Sequence, residues 1–181
     1  MSEGAPPTAY AVRDARADEH AAVRALTLAA YAEYARVMTP PAWAGLDGAV
    51  RAALDVAAGA AERIVAVRAD DGALLGSVFL FPAASDAYTG HAAPPPIPEL
   101  RLLAVAPAAR GLGVGEALVR ECARRAHAAG AAALGLHTSA SMRAAHRLYA
   151  RLGFVRDPAA DFRPDGAELV EGYRLALGAP G

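Results

Sequence analysis

The residues best suited to chemistry are three alternating glycines that follow an arginine: Arg110, Gly111, Gly113 and Gly115. Because glycine has no Cβ, the backbone N–H groups of such a loop can crowd around one ligand. A helical pattern starts at Glu116, and a helix N-terminus offers unpaired N–H donors and a partial positive charge. The arginine adds a permanent charge. This pattern predicts a phosphate or pyrophosphate site, and hence an anionic cofactor.

Other phosphate-binding and catalytic motifs fit less well. Glu116 stands where a dinucleotide fingerprint has its third glycine, and Leu136-His137-Thr138 stands where it has an acidic residue. The sequence contains no lysine, which excludes a P-loop lysine and a Schiff base. It also lacks the Gly-x-Ser-x-Gly elbow of hydrolases. A glycine-rich turn with only a structural role is the alternative.

Composition sets the class of protein. A chain of 181 residues predicts one domain, 1–181, and we expect residues 1–9 to be frayed. The formal net charge of −1 gives no general attraction to nucleic acid or to an anionic membrane. No apolar stretch approaches the ~18 residues that span a bilayer. We therefore expect a cytoplasmic protein, either a monomer or a homodimer.

Cysteine and histidine usage limits redox and metal chemistry. Cys122 is the single cysteine, so an internal disulfide and a cysteine zinc cluster are both excluded. The five histidines are scattered without a ligand pair, and we expect no metal. Cys122 shares one helix face with Val114 and Leu118, which predicts a packed core thiol rather than a reactive one.

The elements that position the glycine loop follow from periodicity and from turn residues. Their predicted order is β-α-α-β-β-β-α-β-α-β-β, an α/β sandwich with a mixed central sheet of about seven strands, helices on both faces and one central parallel crossover. Predicted helices cover 18–34 and 46–58, separated by Pro40 and Pro41. A strand from Glu99 to Val105 leads into the loop, and the proline-rich loop 82–98 is either a lid or disordered.

Two motifs in this frame resemble the GCN5-related N-acetyltransferase (GNAT) superfamily. Arg110-x-x-Gly113-x-Gly115, between a strand and a helix, looks like its acyl-CoA pyrophosphate loop. The segment Ala145-His146-Arg147-Leu148-Tyr149-Ala150-Arg151-Leu152-Gly153-Phe154 is similar to its Ala-x-x-Leu-Tyr-x-x-Leu-Gly-Phe pattern. The resemblance is tight over 99–155, looser over 10–81, and weak in loop 82–98 and after 157.

The resemblance implies acetyl-CoA as cosubstrate, with its pantetheine arm beside the fourth strand and its pyrophosphate on the glycine loop. The fourth strand would diverge from its parallel neighbour at Leu136-His137, and a backbone N–H near Val105 would stabilise the oxyanion. The implied cofactor-binding residues are Leu103, Ala104, Val105, Arg110, Gly111, Leu112, Gly113, Val114, Gly115 and Glu116.

Three residues are candidates for catalysis. Tyr149 matches the family's general acid, although it also lies on the core stripe of its helix. His137 ends the fifth strand and has a suitable reference pKa of ~6.5 for a base. Glu99 opens the fourth strand, on the same face as Arg101, Leu103 and Val105 if alternation holds, and many family members use a carboxylate there. A framework histidine and a solvated strand end are the alternatives.

The acceptor substrate is the part of the predicted activity that the sequence specifies least. Met142 stands where the family often has an asparagine, so that cofactor contact is lost or replaced. Residues 36–43, with Tyr31, Tyr34 and Trp43 as aromatic surface, would roof the acceptor pocket together with loop 82–98. No acidic or basic cluster names a substrate. The predicted activity is N-acetylation of a small-molecule amine or a protein N-terminus; an idle acyl-CoA sensor and a non-acetyl acyltransferase are alternatives.

Overall fold

The structure is a computed structural model that describes residues 9–85, 95–164 and 168–178. The predictions of a frayed stretch at 1–8 and of a lid or disorder at 86–94 lie outside the described residues. No helix in the described ranges is long and apolar enough to cross a membrane.

One seven-stranded sheet organises the molecule, with the spatial order β1-β2-β3-β4-β5-β7-β6. Only β4 and β5 are parallel neighbours; the other adjacent strands are antiparallel. The predicted mixed sheet and its central parallel crossover are therefore confirmed. The strands are β1 Tyr10–Asp14, β2 Glu62–Arg68, β3 Leu74–Phe81, β4 Glu99–Val105, β5 Ala133–Ser139, β6 Val155–Arg156 and β7 Val170–Ala176.

Four α-helices connect these strands: α1 His20–Ala32, α2 Pro40–Ala60, α3 Val114–Ala128 and α4 Arg143–Arg151. The predicted element order is confirmed, but some boundaries are wrong. The predicted start of the second helix at Leu46 is six residues late, because Pro40 and Pro41 occupy its first turn instead of breaking the chain. Proline fits there, since the first-turn N–H groups have no intrahelical acceptor. Likewise α3 begins at Val114 rather than at Glu116.

Helices cover both faces of the sheet, as predicted. Residues of α3 and α4, among them Leu118, Cys122 and Tyr149, pack against one face together with Ile64 and Leu136. The other face carries a second apolar cluster, which includes Phe79, Phe81 and Leu102 from the sheet and Val23 and Val50 from α1 and α2. The prediction that Cys122 is a core residue is confirmed, and burial raises the pKa of its thiol to about 12.

A β-bulge in β4 separates the site residues between these two faces. Ser77 pairs with Ala104 and Phe79 pairs with Arg101, so that two β4 residues, Leu102 and Leu103, stand opposite one residue of β3. Leu102 has a φ of 55°. The expectation that alternation holds along β4 is therefore wrong: Leu103 packs with the α3–α4 cluster, whereas the Arg101 guanidinium lies over Phe81 on the opposite face.

Candidate active site

The centre of the sheet opens between β4 and β5. Glu99 and Gly135 form the only Cα pairing between these two strands, both fully described, and the Gly135 amide donates to the Pro98 carbonyl at 2.9 Å. Beyond this pairing, from Leu136-His137 onward, the strands separate, which confirms the expected divergence. We refer to this space as the β4–β5 gap.

The glycine loop lies where β4 leads into α3. Gly111 and Gly113 have φ values of 79° and 78°, which an L side chain adopts only with strain. The first helical hydrogen bond is donated by Ala117 to the Gly113 carbonyl. Within the described part of the chain, the amides of Val114, Gly115 and Glu116 accordingly have no backbone acceptor. These donors suit an anion.

Gly115 differs from these two glycines, because its φ is not positive. A Cβ atom at this position would lie 3.4 Å from Leu148 Cδ2 and 3.5 Å from Val105 Cγ2, which are ordinary van der Waals distances. The start of α3 therefore lies next to both α4 and β4.

Arg110 is half exposed at the edge of the loop, and Leu112 beside it is 58% exposed. The Arg110 guanidinium donates to the Glu33 carboxylate at 2.8 Å, which ties the loop to the short 3-10 turn after α1. An exposed pair of this kind contributes little to stability, so the arginine can exchange this partner for a phosphate.

Backbone groups of β4 face the gap from one side. Ala106 donates its amide to the Leu75 carbonyl of β3. Because adjacent amides of an extended strand point to opposite sides, the Val105 amide is directed towards β5. The predicted cofactor-binding residues Leu103, Ala104 and Val105 therefore border the gap, next to the glycine loop.

Glu99 and His137, both predicted, meet at the closed end of the gap. The His137 Nδ1 atom lies 3.0 Å from Glu99 Oε1, and both side chains are buried. Glu99 Oε2 accepts two further hydrogen bonds, from Arg101 Nε at 3.0 Å and from Arg101 Nη2 at 2.6 Å. Gly135 leaves the space for this carboxylate, because a Cβ there would lie 3.2 Å from Glu99 Cγ.

The protonation of this pair follows from its partners. His137 Nε2 faces the Ala160 carbonyl at 2.9 Å, which only accepts, so this nitrogen carries a proton. The other ring nitrogen, Nδ1, faces the Glu99 carboxylate. Burial raises the pKa of Glu99, but the hydrogen bonds and charges of His137 and Arg101 outweigh it and lower the pKa overall.

Tyr149 lies on α4, in the α3–α4 cluster, with its ring 5.6 Å from that of Phe154. Burial, together with the nearby hydroxyls of Tyr31 and Tyr34, raises the pKa of Tyr149 well above its ordinary value. Its hydroxyl has no hydrogen-bond partner among the described residues. The hydroxyl is therefore a protonated donor without an acceptor, on the other face of the sheet from the Glu99–His137 pair.

Sequence reasoning missed several residues of this region. Arg101 was open to prediction as a partner of Glu99, since residues two apart share a strand face. The bulge at Leu102 has no sequence signal, because leucine rarely adopts a positive φ. Ser139, the last residue of β5, and Glu168, which accepts a hydrogen bond from Ser141, lie far apart in sequence and carry no motif.

The described residues contain no group of three or more His, Cys, Asp or Glu side chains that could hold a metal ion. Met142, in the position where the resemblance would place an asparagine, is the N-cap of α4 and is buried. Trp43 lies half-buried in the first turn of α2.

Comparison with known proteins agrees with this geometry. The model of the acetyltransferase (GNAT) family matches residues 19–154, three quarters of the chain. The chain belongs to the GNAT acetyltransferase family. No match was found among the curated proteins compared by sequence.

Solved GNAT structures share the fold. A GNAT family acetyltransferase from Brucella melitensis, in complex with acetyl-CoA, has a TM-score of 0.58 at 23% identity, covering 94% of this chain and 90% of that one. The ribosomal-protein-S18-alanine N-acetyltransferase from Escherichia coli has a TM-score of 0.64 at 18% identity, with 95% and 96% covered. A phosphinothricin acetyltransferase from Sinorhizobium meliloti, in complex with acetyl-CoA, has a TM-score of 0.61 at 20% identity, with 94% and 89% covered.

Proposed function

We propose that this GNAT protein is an acetyl-CoA-dependent N-acetyltransferase that acts on a primary amine of a small molecule or of a protein N-terminus. The observation that carries the proposal is the β4–β5 gap, which joins a loop of unpaired helix amides to a buried carboxylate. Structural relatives from B. melitensis and S. meliloti bind acetyl-CoA within the same fold, which supports this cosubstrate.

The residues present fit an acyl-CoA. The amides of residues 111–116 and the Arg110 guanidinium would hold the pyrophosphate, and the backbone from Leu103 to Val105 would hold the pantetheine arm. One contact at a helix end contributes only ~0.3–2 kcal/mol of binding free energy. The affinity for acyl-CoA must therefore come from the loop and the β4 backbone together. Bound acetyl-CoA supplies a thioester whose carbonyl carbon is attacked by the neutral amine.

The acyl transfer forms a C–N bond and breaks the C–S bond. The Val105 amide, directed into the gap, would donate to the thioester oxygen as negative charge develops there. Tyr149 would donate its hydroxyl proton to the departing CoA thiolate. The unpartnered hydroxyl and its raised pKa both support this role, because Tyr149 stays protonated until an acceptor appears.

Either Glu99 or His137 would take the proton that the amine releases, and the geometry favours Glu99. His137 Nε2 has a proton and donates to the Ala160 carbonyl, and Nδ1 faces a carboxylate, so the ring has no lone pair directed at a substrate. Glu99 can receive a proton through ordered water, while His137 and Arg101 hold its carboxylate in place.

An amine library tested with acetyl-CoA, following release of free thiol, tests this function. Thiol release that depends on an amine, with the acetylated amine found by mass spectrometry, is the expected result. Thiol release without any amine would indicate hydrolysis, and CoA binding without any thiol release would indicate a sensor. Transfer from a longer acyl-CoA in preference to acetyl-CoA would contradict the acetyl assignment.

A further inference from the structure

Two buried oxygen atoms near the C-terminal end of β5 lack hydrogen-bond partners among the described residues. They are Ser139 Oγ and Glu168 Oε2, and neither finds a donor or acceptor among the described residues. Ser139 itself is only 6% exposed. Burying a polar atom without a partner is costly, and a carboxylate oxygen more so. These atoms therefore indicate a partner that the described residues do not supply.

Ser139 belongs to the face of the sheet that carries Glu99. It is the last residue of β5 and alternates in phase with His137, whose ring contacts the Glu99 carboxylate. Ser139 pairs with Val170 at the start of β7, only two residues after Glu168. Phe162 bridges Val170 and packs its ring 5.3 Å from that of His137. Ser139 and Glu168 thus lie at the end of β5 that follows His137, next to the start of β7.

The charge of Glu168 is also uncompensated. Its Oε1 atom accepts a hydrogen bond from Ser141 Oγ at 2.6 Å, which fixes the carboxylate. No described cation forms an ion pair with it. The Glu99 carboxylate, by contrast, already binds Arg101 and His137. A positively charged group that reaches this end of β5 therefore finds its counter-ion in Glu168 rather than in Glu99.

We propose that Glu168 and Ser139 form a subsite for a second cationic group on the acceptor, separate from the amine that is acetylated. This inference rests on the proposed function and specifies its substrate class: a diamine, or a peptide with a basic residue near its N-terminus. An alkylammonium group carries several N–H donors and no acceptor, which matches two oxygens that both lack donors. A neutral or acidic acceptor would leave Glu168 uncompensated.

Binding of diamines to the CoA-saturated protein tests the subsite without relying on turnover. The probes are diaminoalkanes from 1,3-diaminopropane to 1,6-diaminohexane and the n-alkylamines of the same length, titrated by calorimetry. We expect at least one diamine to bind about tenfold or more tightly than its monoamine. In Glu168→Gln this preference should disappear, and in Ser139→Ala it should weaken. Glu171→Gln, which removes a carboxylate three residues away, should keep it.

A matched peptide pair separates the two sources of the second cation. Ala-Lys amide and Ala-norleucine amide differ only in that charge, and a preference for the first, with none among the diamines, would assign the site to peptides. Equal binding of all charged and uncharged partners by the wild type, or a preference that survives Glu168→Gln, would overturn the subsite. Thiol release with monoamines but no cation preference would leave the acetyltransferase function standing alone. Cation-selective binding without any thiol release would support the subsite and contradict the acetyltransferase function.

Discussion

The Tyr149 hydroxyl is the most sharply testable group of the site, because it is protonated and has no hydrogen-bond partner in the described part of the chain. Replacing it in Tyr149→Phe keeps the ring against Phe154. We expect kcat to fall by about 10²-fold, near the low end for general acids, because a CoA thiolate is already a fair leaving group. The melting temperature and the Kd for CoA should hardly change. Thiol-release kinetics and thermal melting measure the two effects.

Tyr173 provides the matched control for this substitution. Its hydroxyl donates to Glu171 Oε2 at 3.0 Å and contacts His146 Nδ1 at 3.1 Å, so it has a structural role. Tyr173→Phe should cost ~0.5–1.5 kcal/mol of stability and leave turnover intact. A Tyr149→Phe protein that melts lower but turns over normally would make Tyr149 a structural residue like Tyr173.

The Glu99–His137 pair gives a second prediction. Since His137 and Arg101 keep the pKa of Glu99 below its ordinary value, the carboxylate stays ionised from pH 6 to 9. Glu99→Gln should therefore lower kcat/KM by roughly 10²–10⁴-fold, by the same factor across that range. His137→Gln should have a smaller, equally pH-independent effect. If His137→Gln instead abolished a pH dependence of kcat/KM centred near pH ~6.5, and Glu99→Gln kept the wild-type kcat/KM, the histidine would be the base.

How much of the site could be predicted depended on whether its residues share a local motif. The glycine loop and Tyr149 each belong to a short pattern with a physical reason for its spacing, and sequence was enough to propose them. The contact of His137 with Glu99 was not foreseen, because it depends on the meeting of two strands that are far apart in sequence. Glu168 gave no signal, since its burial arises only from tertiary packing.

At the scale of elements, the glycine loop joins β4 to α3. Valine at position 113 would add a branched side chain to the loop, with its Cβ 3.5 Å from the Tyr10 hydroxyl, and would also strain the positive φ. Gly113→Val should weaken CoA binding at least tenfold, or ~1.4 kcal/mol, measured by calorimetry.

A substitution at a second glycine serves as the control for the backbone strain of Gly113→Val. Gly72 in the β2–β3 turn has a φ of 70°, and a Cβ there would meet nothing within 4 Å. Gly72→Val should therefore lose a similar ~1–2 kcal/mol of stability with CoA affinity unchanged. If Gly113→Val and Gly72→Val bound CoA equally tightly, the glycine loop would not be part of the cofactor site.

Element boundaries were less predictable than element order. The helical and alternating patterns gave all eleven strands and helices in sequence, because each buries one face. The start of α2 was missed because proline both breaks a helix and suits its first turn, and the sequence alone does not say which applies. The bulge in β4 was missed because no glycine marks it.

For the whole molecule, acid stability should depend strongly on Glu19. This carboxylate accepts hydrogen bonds from Arg13 at 2.7 and 2.8 Å, joining β1 to the start of α1, and these bonds lower its pKa to about 2. A lowered pKa adds stability above the ordinary value of ~4.3, and this stability is lost as the pH falls towards 2. Glu19→Gln should cost ~1.5–3 kcal/mol at pH 7.

Urea unfolding between pH 7 and pH 2 measures this dependence. The difference between the wild type and Glu19→Gln should shrink steadily below pH ~4.3. Glu116→Gln is the control, because its pair with Arg120 is exposed and contributes ~0–1 kcal/mol. A Glu19→Gln deficit that stayed constant down to pH 2 would mean that packing, not the ion pair, carries the effect.

The single pairing between β4 and β5 also makes this sheet a natural place for a split reporter. A cut at Gly130, an exposed position with a φ of 86° and no neighbour within 4 Å of a Cβ, leaves β1–β4 with α3 on one fragment and β5–β7 with α4 on the other. Their strands share one rung, Glu99 with Gly135, and the fragments also meet at the Glu99–His137 pair and in the helical layer of α3. Acetyl-CoA bound along the β4–β5 gap would touch both pieces, so reassembly of the fragments should report the concentration of the cosubstrate.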